Sequence, residues 1–245
     1  MIVLFTDFGT RGPYTGQMTA VLHAAAPGVP VVDLMAHAPA FDAQASAYLL
    51  AACSRPFPAD TVFLAVVDPG VGSSRLPCVV HADDRWFVGP GNGLFEVVMR
   101  RASRVRCWRI DWRPPQLSAT FHGRDLFAPV AARLARGETP PCPFLSELAG
   151  DALRHPDWPD DLARILHIDS YGNAISGLRA ERVAASARIR IGNLTITAAR
   201  TFSDVAVGQP FWYENADGLL EIAVNRGRAA GIPGITLGAS LSIAE

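Results

Sequence analysis

The sequence predicts two domains of different class: an α/β domain around a central, mostly parallel sheet, then an all-β barrel. Three observations lead there. Apolar strands alternate with helical segments as far as Arg136. Pro140, Pro141, Pro143, Pro156 and Pro159 then interrupt the alternation. Beyond them the chain consists of short strands separated by polar turns. These put the α/β domain at 1–145, a proline-rich connector at 146–161 and the barrel at 162–245. With 49% hydrophobic and 18% charged residues over 245 positions, the chain can fill two cores and is not a disordered polymer.

Ile2–Thr6 is a continuous apolar run ending in Asp7-Phe8-Gly9, as a buried parallel strand followed by a turn would read. Tyr14–Ala26 carries helix formers and stops at Pro27-Gly28. Val29–Met35 is the second strand, and Asp42–Ser54 a helix with Asp42 at its N-cap. Thr61–Val67 is a third strand, closed by Asp68-Pro69-Gly70-Val71-Gly72. Further strands are expected at Pro77–Ala82, Trp86–Val88 and Val105–Ile110, with helices at Leu94–Arg101 and Gly123–Arg136. In the second half, strands are expected at Arg164–Ile168, Ala187–Ile191, Leu194–Thr197, Pro210–Tyr213, Leu219–Val224 and Leu241–Ile243. Gly192-Asn193 marks a hairpin between two of them.

Composition removes several function classes. Basic and acidic residues number 22 and 23, so no concentrated cationic face is expected for nucleic acid. Every cation is an arginine; with no lysine present, Schiff-base chemistry, pyridoxal phosphate attachment and a P-loop are all excluded. Cys53, Cys78, Cys107 and Cys142 form no CxxC pair, which argues against a zinc site and for reduced thiols. No apolar run approaches membrane-spanning length, and Met1–Phe5 is too short for a signal peptide. A cytoplasmic protein is expected.

The polar residues at strand ends are the candidates for chemistry. Asp7 suits either a bidentate contact to a vicinal diol or a helix cap. In Asp68–Arg75 the glycines let backbone approach a ligand, or the segment is a turn closed by an Asp–Arg pair. Gly89–Gly93 reads as a tight turn. His122 opens a helix, where imidazole favours its neutral form, in a structural or a catalytic role. Tyr171-Gly172-Asn173 and Thr201-Phe202-Ser203-Asp204 pair an aromatic face with polar groups, the means of holding a purine or of packing a core.

As a set these segments are far more specific. Thr6–Gly9, Asp68–Gly72 with Arg75, Phe121–Asp125 and Tyr171–Asn173 together closely resemble the S-adenosylmethionine (SAM) hydroxide adenosyltransferases. These SAM hydrolases are relatives of the fluorinase and chlorinase, and the resemblance runs to Asn215–Asn225. It implies an α/β domain joined to a β-barrel, and homotrimers with active sites between neighbouring subunits. The reaction would give adenosine and L-methionine from SAM, with no metal and no cofactor. Asp7 would bind the ribose hydroxyls, while Phe41, Tyr171, Asn173 and Phe202 would surround adenine and sugar. Asn215 is a further substrate-binding candidate, and Asp68, Arg75 and His122 match the residues that activate water. The halogenases carry tyrosine where Asp68 stands, and the fluorinase threonine where Val71 stands, so hydrolysis is expected over halogenation. The sequence departs from the family pattern at Gly12, usually an acid, and Ala216, usually serine. A non-catalytic adenosine- or SAM-binding protein is the alternative those departures leave open.

Overall fold

The computed structural model describes residues 1–244 and divides the chain into two compact units, Met1–Asp157 and the part from Trp158 onward. The first unit holds strands β1 (Ile2–Thr6), β2 (Val31–Met35), β3 (Val62–Val66), β4 (Pro77–Ala82), β5 (Arg85–Pro90), β6 (Val105–Ile110) and β7 (Leu145–Glu147). Its helices are α1 (Tyr14–Ala25), α2 (Ala43–Cys53), α3 (Glu96–Arg101) and α4 (Ala128–Ala135).

The sheet order is β2-β1-β3-β5-β4-β6-β7. β1 pairs parallel with β2 and β3, and β3 parallel with β5. The pairings β5–β4, β4–β6 and β6–β7 are antiparallel, so the sheet is mixed, not mostly parallel. The reason is local. Only Asp83 and Asp84 separate β4 from β5, with Asp83 at φ 52°, and a two-residue loop joins strands only as a hairpin.

β1 and β3 are buried at every position, as their unbroken apolar runs require. One face of the sheet, through Ile2, Leu4, Leu64 and Val66, packs on Met18 and Leu22 of α1 and Val130 and Leu134 of α4. The alternate residues include Phe63, stacked on Phe87, which in turn meets Phe95 just before α3. Asp42 caps α2 by accepting from Ala45 N–H at 2.8 Å.

The second unit is antiparallel throughout its named strands. It contains β8 (Leu162–Ile168), β9 (Ala174–Arg179), β10 (Arg188–Ile191), β11 (Leu194–Ile196), β12 (Pro210–Glu214), β13 (Leu219–Val224) and β14 (Leu241–Ala244). They form a four-stranded sheet, β12-β13-β9-β8, and a three-stranded sheet, β11-β10-β14. Two strands escape the sequence reading. β7 has only three residues and begins at the edge of the proline-rich segment. β9 is masked by Gly177, where a Cβ would lie 2.7 Å from the Leu162 carbonyl oxygen, so the close strand approach demands glycine. Residues 146–157, read as connector, belong to the first unit and are tied to α3 through Arg154 and His155.

Candidate active site

The loops after β1 and β3 leave the carboxyl ends of two adjacent parallel strands, where open α/β sheets place their ligands. Asp7 ends β1. One of its oxygens accepts from Phe41 N–H at 3.0 Å, which leaves the carboxylate further acceptor capacity. Burial raises the Asp7 carboxyl above its ordinary value; the Phe41 N–H opposes that shift and the charge of Asp68 adds to it. Phe41 itself has φ 61° and is 78% exposed. A non-glycine residue in the left-handed region with its ring in solvent is a strained arrangement typical of ligand clamps.

Asp68, Arg75 and His122 come together although 47 residues separate the last two. Arg75 Nε donates to both Asp68 oxygens, at 2.9 and 3.0 Å, and its Nη2 donates to Oδ2 as well. The same Nη2 lies 2.9 Å from His122 Nδ1. A guanidinium only donates, so Nδ1 is the acceptor and the neutral ring carries its proton on Nε2. Burial, then the neighbouring Arg75 charge, hold the His122 pKa below its ordinary value, against the pull of Asp68. The imidazole is therefore neutral at pH 7. Arg75 also lies over the Phe127 ring at 5.1 Å.

Two local features make this geometry possible. Gly72 has φ 79°, and a Cβ there would sit 2.7 Å from the Ala119 carbonyl oxygen, so only glycine lets the loop reach that segment. The helix expected over Gly123–Arg136 opens as a π turn, Gly123–Phe127, before α4 begins. Such turns are frequent at functional sites, and this one starts immediately after His122. Asp125 fastens the approach by accepting from Ser118 N–H at 3.0 Å and from Arg124.

Asp7, Phe8, Tyr14, Phe41, Asp68 and His122 line a cavity of about 380 Å³, within the range of small-molecule sites. Arg75 does not line it; it stands behind Asp68 and His122 and holds both. Phe8 and Tyr14 are site residues that sequence reasoning missed. Their rings meet Phe121 edge-on at 5.7 and 5.3 Å, and position beside the Asp7 turn was the only signal. A Cβ at Gly12 would lie 3.0 Å from the Tyr14 ring, which fills the space a side chain would need.

The other four candidates belong to the second unit. Tyr171 is 76% exposed, and Phe202 stands edge-on to Phe211 and Tyr213 at 5.1 and 5.6 Å. Asn173 is nearly buried, bound through its backbone and side-chain N–H groups to Asp169. The Asn215 side chain serves its own turn. It accepts from Asp217 and Leu219 N–H at 3.0 and 2.9 Å, and donates to Glu221 at 2.9 Å. Among the described residues, no three His, Cys, Asp or Glu side chains gather as a metal ion would require, and no helix is long and apolar enough to cross a membrane.

Comparison with known proteins covers nearly the whole chain. Residues 2–142 match the profile of the SAM hydroxide adenosyltransferase N-terminal domain, and residues 163–242 that of the C-terminal domain. The "(R)-S-adenosyl-L-methionine hydrolase" of Thermus thermophilus is 39% identical, over 93% of each chain. The protein of the same name from Salinispora tropica is 36% identical over 97% of this chain and 95% of its own. A fluorinase from Actinopolyspora mzabensis is more distant, at 22% over 92% and 90%. Among solved structures, an uncharacterized conserved protein from Thermotoga maritima aligns over the full length of both chains with a TM-score of 0.89 and 30% identity.

Proposed function

This chain belongs to the family of SAM hydroxide adenosyltransferases, and we propose from that premise that it hydrolyses SAM to adenosine and L-methionine through water attack at C5′. The new C5′–O bond forms as the C5′–S bond breaks, and the bonding pair leaves with sulfur. Methionine is released as a neutral thioether, so its departure needs no acid. The site's task is to align water against C5′ and accept its proton.

The single observation that carries this reading is the Asp68–Arg75–His122 cluster at the cavity wall. Its hydrogen bonds support a different role for each residue. Asp68 is the acceptor for the water proton, since Arg75 occupies His122 Nδ1 and the other ring nitrogen carries hydrogen. His122 donates from Nε2, orienting the water oxygen. Arg75 positions both and offsets the negative charge that develops on oxygen. A carboxylate here attracts the cationic sulfonium, receives hydrogen bonds from water and repels a halide, which favours hydrolysis over halogenation. Asp7 pairs with the ribose hydroxyls through its remaining acceptor capacity. Positioning of this kind supplies about 7–11 kcal/mol in good cases, and acid–base assistance roughly 10²–10⁴-fold. The reaction calls for no cofactor.

Several finer features are part of the same reading. The second unit closes as a barrel, supported by bridges joining its two sheets at Arg164–Ser240 and Ala198–Trp212. Its residues Tyr171, Asn173 and Phe202 hold the adenine. The exposure of Phe41 and Tyr171 supports a homotrimer that covers these rings at sites between subunits. The cytoplasm is its proposed location. The names of the relatives make the R-configured sulfonium the substrate to assay beside the S epimer.

The test is incubation with each SAM epimer in H₂¹⁸O, followed by chromatography and mass spectrometry. Adenosine carrying ¹⁸O at its 5′ hydroxyl is the expected product. Adenosine binding without turnover of either epimer would leave a binding protein instead.

A further inference from the structure

The Asp169–Asn173 turn joins β8 to β9 and holds a side-chain amide in one orientation. Asp169 N–H donates to the Asn173 carbonyl at 3.0 Å and Gly172 N–H to the Asp169 carbonyl at 3.0 Å. The Asp169 carboxylate then takes two bonds from Asn173, from its backbone N–H at 2.8 Å and from its side-chain Nδ2 at 3.2 Å. From outside the turn, Arg228 donates to the Ser170 carbonyl at 2.9 Å, and its side chain would lie 2.8 Å from a Cβ at Gly172. The loop is thus fixed on both sides.

A carboxylate accepts and does not donate, so Asp169 can face only the NH₂ end of the Asn173 amide. The carbonyl end is left facing away. Asn173 is only 7% exposed, yet its Oδ1 accepts no hydrogen bond among the described residues. The oxygen is not enclosed by protein, so a ligand can bring a hydrogen-bond donor to it. One Nδ2 hydrogen is also uncommitted. An amide with one free acceptor and one free donor matches a purine edge with an amino group beside a ring nitrogen, as the 6-amino group and ring nitrogen of adenine are arranged. A 6-oxo purine presents an acceptor where that amino group would be.

We propose that Asp169 is a positioning residue that sets purine specificity: by pinning the Asn173 amide it makes the site select 6-amino over 6-oxo nucleosides. This rests on the reading that Asn173 faces the base. Asp169 need not touch the ligand. Replaced by an amide, it could bond either end of the Asn173 side chain, and the flipped amide would accept inosine.

Calorimetric titration of the full chain with adenosine, inosine and purine riboside, which lacks the amino group, tests this. The wild type should prefer adenosine over both by about 10- to 100-fold, the discrimination a two-point amide–adenine contact commands. Asp169→Asn should close most of the adenosine–inosine gap, chiefly by gaining inosine affinity, which mere loosening of the loop would not produce. Should that variant not fold, Asp169→Ser replaces it, since a hydroxyl also donates as well as accepts. Equal binding of the three nucleosides by the wild type, or an unchanged ratio in a folded variant, overturns the proposal. A wild type that binds no nucleoside at all overturns the reading of the site itself, and the specificity argument with it.

Discussion

Two buried carboxylate–arginine clusters in the first unit differ in what remains open on the acid. Glu96 is fully buried and saturated: Oε1 accepts from Arg100 and Arg154, and Oε2 from Arg154 Nε and His155 N–H. Burial raises its pKa, but the bonds from Arg154, His155 and Arg100 outweigh that and hold it low. Among the described residues Asp68 is paired with one arginine, shares that arginine with an imidazole, and borders a cavity. The saturated cluster fastens residues 154–155 to α3. The open one keeps acceptor capacity for a ligand. An ion pair by itself identifies neither role; the count of donors around the carboxylate does.

The largest effect should come from the open cluster. Asp68→Ala should lower kcat on SAM by about 10²–10⁴-fold, with the adenosine Kd changed by less than about threefold. Stopped chromatographic assays and calorimetry read the two quantities. An equal loss of turnover and nucleoside binding would place Asp68 in the scaffold and remove the contrast with Glu96.

Glu96→Gln should do the opposite, costing about 3 kcal/mol of stability while leaving kcat per folded molecule unchanged. The figure is taken at the low end for a broken buried pair because Arg100 and Arg154 are partly exposed. The contribution of Glu96 is present above its unfolded pKa of about 4.3 and fades as pH falls through the lower folded value. Denaturant unfolding should therefore show the wild-type advantage at pH 6 shrinking below about pH 4.

His122 sharpens the comparison through pH. Its depressed pKa keeps Nδ1 free to accept from Arg75 until the pH falls below the ordinary imidazole value of 6.5. Protonation then sets two cations against each other and turns an acceptor into a donor. kcat should lose up to about tenfold per pH unit along an acid limb centred below 6.5, and His122→Asn should remove that limb. A limb centred above 6.5 would contradict the buried, Arg75-paired setting.

Much of this was legible in the sequence because local chemistry fixed it. The unbroken apolar runs of β1 and β3 announced buried parallel strands, and the acids at their ends announced the site. What stayed hidden depends on partners far along the chain. No pattern around His122 predicts that Arg75 bridges it to Asp68, or that a π turn follows it. β9 was obscured because Gly177 answers to a neighbouring strand and not to its own segment. Tyr14 and Phe8 read as ordinary helix and turn residues, and only their packing against Phe121 brings them to the cavity. The antiparallel pairing of β4 with β5 was missed, although the short gap between the expected strands, Ala82 to Trp86, leaves no room for a crossover.

Asn215 carries the smallest expected effect and the finest test of the donor-count rule. Like Glu96 it has a saturated acceptor, with Oδ1 accepting from two backbone N–H groups, while Nδ2 donates to Glu221. Asn173 has a nearly buried amide too, but with Oδ1 open. If saturation marks scaffold and vacancy marks ligand contact, the two asparagines should separate cleanly. Asn215→Ala should cost about 1 kcal/mol of stability through loss of its turn bonds, with the adenosine Kd within about twofold of wild type. Asn173→Ala should weaken adenosine by about tenfold or more. Calorimetry beside thermal unfolding of both variants reads the pair. Equal losses of adenosine affinity would show that an amide with a filled acceptor can still reach the ligand, and that acceptor vacancy does not distinguish the two.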